Sequence, residues 1–170
     1  RARAEKLFQL TPTKNAQALP KLSRLIEMEG DAAAGKQVFL KTGQCAKCHQ
    51  AQGEGKAVGP DLSQIGTKLA RSAIFEAILY PSAAISHNFE TYLVQLESGQ
   101  SLAGVLVNEN DQQIQLRDAE GILRTLDRAE VERLERSTVS LMPANLHEAI
   151  TTQELLDLVD YLTTLKRPAK

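Results

Sequence analysis

Cys45 and Cys48 stand three residues apart with His49 directly after the second, so the run Cys45-Ala46-Lys47-Cys48-His49 places two thiols and an imidazole within five residues. In a C-x-x-C-H pattern the two thiols can form thioether bonds to the two vinyl groups of one haem, and the adjacent imidazole is then held where its nitrogen can bind iron. Two rival chemistries use the same atoms. A redox dithiol calls for Cys-x-x-Cys at a helix N-terminus after a strand, whereas here the pair follows a helical pattern and a glycine. A zinc site calls for a second ligand pair, and beyond the motif only His87, His147 and carboxylates remain, none paired at zinc spacing. Two cysteines so close together are also no disulfide framework. The residues favour haem attachment, with zinc or an inert or redox dithiol as the alternatives.

The elements that must position this motif are read from periodicity. The first twenty residues, with Thr11, Pro12, Thr13, Asn15 and Pro20, lack a helical stripe and read as linker or as the tail of an upstream region, an expectation extended over 1–29. Leu22, Leu25, Ile26 and Met28 make a short helical segment closed by Gly30. Asp31 is the expected N-cap of a helix from Ala32 to Lys41, and Ser72 to Tyr80 is a second helix ended by Pro81. Between them lies the polar, glycine-rich loop that holds the cysteines. The period then changes to two: runs starting at Tyr92, Ser101, Ile114, Ile122 and Val131 predict about five short antiparallel strands. Thr151 with Glu154 predicts a capping box for a last helix whose face is Leu155, Leu158, Val159 and Leu162.

With these residues in view, the chain resembles class I cytochrome c. Gly35 and Phe39 on the helix before the motif, and Tyr161 on the last helix, are similar to the small and aromatic residues at which that family's terminal helices cross. Gly59-Pro60-Asp61-Leu62 resembles the family loop whose proline carbonyl accepts a hydrogen bond from the ligand histidine, a role that falls to Pro60 facing His49. Met142, in Ser-Leu-Met-Pro, stands in the loop-plus-proline setting of the family's axial methionine; Met28 is the one other thioether. His87 is the alternative sixth ligand, against its reading as an exposed loop histidine, and His147 is expected to be solvated. More closely, 31–165 resembles the C-terminal haem-binding domain of multidomain proteins of Planctomycetes and Verrucomicrobia, on Gly43 to His49, Gly59 to Leu62, Ile78 to Ala83 and Ser140 to Pro143. That resemblance implies a periplasmic or otherwise extracytoplasmic location and attachment to a larger polypeptide.

The expected fold is therefore a mainly α cytochrome c fold, at 30–87 and 139–168, interrupted at 88–138 by a small antiparallel β-barrel-like module. The insertion accounts for the long stretch of chain between His49 and Met142. Twenty basic against 21 acidic residues, and 4% aromatics, disfavour nucleic acid as a partner. No apolar run is long enough to span a bilayer, and Arg1 to Leu10 lacks the apolar stretch of a signal peptide. Lys41, Lys47, Lys56 and Lys68 are a candidate positive rim for an acidic partner, or scattered solubilising charges. The expected function is one-electron transfer by a single covalently bound haem c, with a redox partner protein or a fused dehydrogenase domain, and no catalysis by the chain itself. Alternatives from other classes are a haem-based sensor or gas-binding module and a zinc-stabilised interaction module.

Overall fold

The computed structural model describes residues 10–166. The parts of the expected linker at 1–9, and of the haem domain at 167–168, fall outside the described residues. The described residues divide into two compact units, one containing residues 10–44, Gln64–Tyr80 and residues 144–166, the other containing Cys45–Ser63 and Pro81–Pro143.

The first unit is helical: α1 (Leu22–Glu27), α2 (Ala32–Gln37) running on into a π-helical turn (Val38–Thr42), α3 (Ile65–Lys68), α4 (Arg71–Leu79), a 3-10 turn (Leu146–Ala149) and α5 (Thr152–Thr164). Asp31 caps α2 by accepting from the Ala33 and Ala34 amides at 2.7 and 3.3 Å, which satisfies two of the amides that a helix start leaves unpaired. The Thr151–Glu154 capping box of α5 is present. Helices α2 and α5 cross where Gly35 lies against the backbone of Asp157; a Cβ there would also come within 2.8 Å of the Tyr161 Cβ. One turn on, the Phe39 and Tyr161 rings pack with centroids 5.7 Å apart and planes tilted by 54°. Two acidic residues of α5 complete the joint. Asp157 accepts the Asp31 amide at 2.8 Å, and Asp160 accepts the Gly30 amide and the Arg71 Nε. Arg71 also donates to the carbonyls of Leu25, Ile26 and Met28 and so caps the C-terminus of α1.

Residues 10–20 form no helix or strand, yet they are tied down. Thr13 is buried, the Lys14 amide donates to the Ile150 carbonyl, and Thr11 meets His147 Nε2 through both its carbonyl and its hydroxyl at 3.1 Å. This corrects the expectation of a solvated His147, which is 2% exposed. Its neighbour Glu148 is polar, but the segment that covers it lies 136 residues away in sequence, beyond the reach of local pattern.

In the second unit a two-residue hairpin, β1 (Gln50–Ala51) with β2 (Glu54–Gly55), follows the cysteine motif. The expected strands then appear as β3 (Thr91–Leu96), β4 (Ser101–Glu109), β5 (Gln113–Arg117), β6 (Leu123–Asp127) and β7 (Val131–Arg136). They pair antiparallel in the order β6-β5-β4-β3-β7. Because side chains alternate, one face collects Val94, Leu96, Ile114, Leu116 and Val131, with Tyr92, Leu102, Leu106, Leu126 and Leu134 packed against them.

This architecture corrects the expected fold class. The described residues are 34% helical and 22% strand, so this is not a mainly α fold, and β3 to β7 make a five-stranded sheet without closing into a barrel. The reason lies at the edges. A single 3-10 turn, Arg128–Glu130, carries the chain from β6 to β7, and β7 then pairs with β3, leaving β6 and β7 as opposite edges with no ladder between them. Strand periodicity specifies which face of a strand is apolar, but not whether the last two edges meet.

The helix crossing yields a prediction. Gly35→Val should destabilise the chain by about 3 kcal/mol in urea unfolding, since the nearest obstacle is helix backbone that cannot move aside. Thr151→Ala should cost about 1 kcal/mol through the lost cap.

Candidate functional site

Cys45, Cys48 and His49 sit on one tight turn. The π-helical turn ends where the Gly43 amide bonds the Val38 carbonyl at 2.8 Å, and Gln44 then takes a left-handed φ of 58°. A 3-10 turn, Cys45–Lys47, follows, with the Cys48 and His49 amides both donating to the Cys45 carbonyl at 3.1 and 2.8 Å. Residues three apart on such a turn lie on the same side, which sets the two thiols on one face. Neither cysteine is in a disulfide and both are partly buried. Burial pushes the Cys45 thiol up to about 12, outweighing a backbone hydrogen bond that lowers it, so Cys45 carries its proton at neutral pH. That is the opposite of the lowered thiol pKa of a redox dithiol.

The loop from Lys56 to Pro60 folds back over this turn. The Lys56 amide donates to the Ala46 carbonyl at 3.0 Å, and the Val58 and Gly59 amides donate to the Cys48 carbonyl at 2.9 and 2.7 Å. The loop is held on its far side by Leu62, whose amide bonds the Gln50 carbonyl at 2.8 Å, and by the Ser63 hydroxyl accepting the Gln52 amide at 2.7 Å. These bonds deliver the Pro60 carbonyl to within 2.8 Å of His49 Nδ1. A carbonyl only accepts, so Nδ1 carries the proton and the lone pair is left at Nε2. Burial lowers the His49 pKa below its ordinary value, although the Pro60 bond acts the other way. The ring lies directly on Gly59: a Cβ there would be 2.7 Å from Cε1 and 3.0 Å from Nδ1. A residue with a side chain at 59 would displace the imidazole.

Met142 is half-buried in the same unit as His49, in the loop after β7. Its amide donates to the Ser140 hydroxyl at 3.1 Å, and the Ser140 amide in turn donates to the Ser82 hydroxyl at 3.0 Å. His87 has a side chain 88% exposed, with Nδ1 3.5 Å from Glu90 Oε1. Lys41, Lys47, Lys56 and Lys68 are all exposed, and Lys47 and Lys56 belong to the unit that holds the cysteine turn. Among the described residues, no group of three or more His, Cys, Asp and Glu side chains is placed to hold a bare metal ion.

The donor set can be judged against haem c. Two thiols on one face of a turn, an adjacent imidazole with its Nδ1 proton engaged and Nε2 available, and a glycine that leaves room for the ring fit a covalently attached haem with a histidine ligand. The His49–Pro60 pairing implied by the resemblance is present, whereas Gly59 as the bed of the ring and the Cys48 carbonyl as the anchor of the loop were not expected. The signal for the first was in the sequence: glycine directly before the loop proline, where an ordinary turn would explain it equally well.

A family model for cytochrome c matches residues 32–115. The match spans Cys45, Cys48, His49 and Pro60, runs on into β5, and stops short of Met142 and α5. It supports a class I cytochrome c, a haem-binding module with an electron-transfer role toward redox partners, and its cofactor is covalently bound haem c with iron. No curated protein matches the chain. No helix among the described residues is long and apolar enough to cross a membrane.

The His49 environment predicts the acid behaviour of the haem-free chain. A histidine whose folded pKa is below its unfolded value of 6.5 binds its proton more readily when unfolded. Its contribution is therefore fully present above about pH 6.5 and is lost as pH falls toward the folded value. Urea unfolding of the haem-free chain from pH 7.5 to 5 should show stability falling below about 6.5, with a flatter profile for His49→Gln.

Proposed function

Taking the cytochrome c match over 32–115 as the premise, we propose that this chain is a monohaem c-type cytochrome domain that passes single electrons, probing no substrate of its own. The observation that carries the proposal is the His49 Nδ1 hydrogen bond to Pro60, which leaves Nε2 as the one ring nitrogen with a lone pair, next to two thiols in the attachment spacing. Cys45 and Cys48 would hold the cofactor through thioether bonds to its two vinyl groups. His49 Nε2 would bind the iron, and the Pro60 carbonyl, by holding Nδ1–H, fixes the ring's tautomer and raises its basicity. Met142 would be the second protein ligand to the iron, with His87 as the alternative. Bound haem supplies an iron that takes up and returns one electron. Two protein ligands from this chain would favour electron transfer over catalysis, and Met142 in place of a second histidine would raise the reduction potential.

The wider setting rests on resemblance. Likeness to the C-terminal haem domain of Planctomycetes and Verrucomicrobia proteins supports an extracytoplasmic location and a place in a larger redox protein, with a fused or docked dehydrogenase as donor. The domain plan stays that of a haem domain at 30–87 and 139–168 with residues 88–138 inserted. The continuous apolar core of the sheet supports residues 88–138 as an insertion with a core of its own, joined in one compact unit with Cys45–Ser63. Exposed Lys47 and Lys56 near the cysteine turn support steering of an acidic partner that weakens with salt.

Visible spectra of the haem-loaded chain test the ligand set. Met142→Ala should abolish the methionine-specific charge-transfer band of the oxidised protein, and His87→Ala should leave it intact; the reverse would reassign the sixth ligand. Ready binding of carbon monoxide by the reduced wild-type chain would favour the gas-binding reading over electron transfer.

A further inference from the structure

The sheet reaches the histidine through one side chain. Arg117, the last residue of β5, donates from Nη1 to the Ala57 carbonyl at 2.9 Å. The next loop residue, Val58, is buried, and its Cγ2 abuts Gly121 so closely that a Cβ at 121 would lie 2.9 Å away. Gly121 has a φ of 85°, the left-handed conformation that favours glycine. The turn presenting it is stiff. The Asp118 amide bonds the Ile122 carbonyl, the Asp118 carboxylate accepts the Ile122 amide at 2.7 Å, and Arg124 Nε meets its other oxygen at 2.9 Å. The β5–β6 hairpin thus grips residues 57 and 58 on one side while the Cys48 carbonyl holds the amides of 58 and 59 on the other. Two residues later comes the Pro60 carbonyl that receives His49 Nδ1–H.

We propose that Arg117 is a positioning residue for His49, acting through the 57–60 loop to set how strongly the Pro60 carbonyl binds the imidazole proton. Hydrogen-bond strength falls steeply with length and misalignment, and residues 56–60 have no helix or strand of their own to hold that geometry. A firm bond at Nδ1 makes the imidazole a better donor at Nε2, which favours ferric over ferrous iron. Releasing the loop weakens the bond and shifts the balance toward ferrous iron. The β-sheet, in which no ligand residue was expected, thereby becomes a determinant of the reduction potential.

The inference rests on ligation of haem by His49, and the experiment separates the two. In the haem-loaded chain, redox titration and the hyperfine-shifted proton signals of the His49 ring are compared among wild type, Arg117→Ala, Arg117→Lys and Arg133→Ala. Arg133 lies on the same sheet with a side chain 60% exposed and its ion-pair partner, Glu135, on its own strand. Arg117→Ala should raise the ferrous-to-ferric ratio at a fixed ambient potential about threefold and move the His49 ring signals; a tenfold ratio would correspond to about 59 mV. Arg117→Lys, able to reach the same carbonyl, should restore most of the change, and Arg133→Ala should have none. Gly121→Ala, which presses on Val58, serves as a second perturbation should Arg117→Ala not retain haem, and should also move the ring signals. Unchanged potential and ring signals in Arg117→Ala, or an equal change in Arg133→Ala, would overturn the positioning role alone. Absence of histidine-ligated haem in the wild type would overturn both this role and the ligation reading.

Discussion

The hydrogen bond from His49 Nδ1 to the Pro60 carbonyl is the constraint around which the site is organised. It decides the tautomer, and the tautomer decides which nitrogen has a lone pair to offer. The bond exists because the Cys48 carbonyl accepts two successive loop amides, so that the same five-residue turn that carries the thiols also sets the position of the loop that orients the imidazole. Gly59 then serves twice, as a donor to Cys48 and as the flat surface on which the ring rests. The amide is common to every residue but proline; it is the close approach of the ring that requires glycine, because a Cβ at 59 would push the imidazole aside.

Each unit solves a different physical problem. The helical unit buries a close crossing at Gly35, reinforced by the Phe39–Tyr161 contact and by Asp157 and Asp160, which receive backbone amides and, at Asp160, Arg71. A carboxylate such as Asp157, 7% exposed, is tolerable there because the Asp31 amide and the Gln153 side chain both donate to it. The other unit makes a loop rigid without giving it secondary structure, using backbone acceptors from the cysteine turn on one side and the β5–β6 hairpin on the other.

Much of this was legible in the chain itself, and the limits follow from the range of each signal. Local signals were sufficient for the Asp31 cap, the Thr151–Glu154 box and all five strands, because capping and alternation act over a few residues. The attachment turn was legible because its three chemical groups are adjacent. The open sheet was not, since edge closure depends on where the chain turns at Arg128–Glu130 and not on the pattern within strands. Burial of His147 and the grip of Arg117 on Ala57 were equally hidden, each joining residues 60 or more positions apart. An arginine ending a strand ordinarily signals only a solvated edge.

The proposed site requires covalent attachment of one haem at Cys45 and Cys48. Intact-mass and peptide mass spectrometry of the chain produced with haem-maturation machinery tests it most directly. The chain should show a mass increase of one haem that survives denaturation, maps to the peptide containing Cys45 and Cys48, and leaves no titratable thiol. A colourless chain of unmodified mass with two titratable thiols would contradict it.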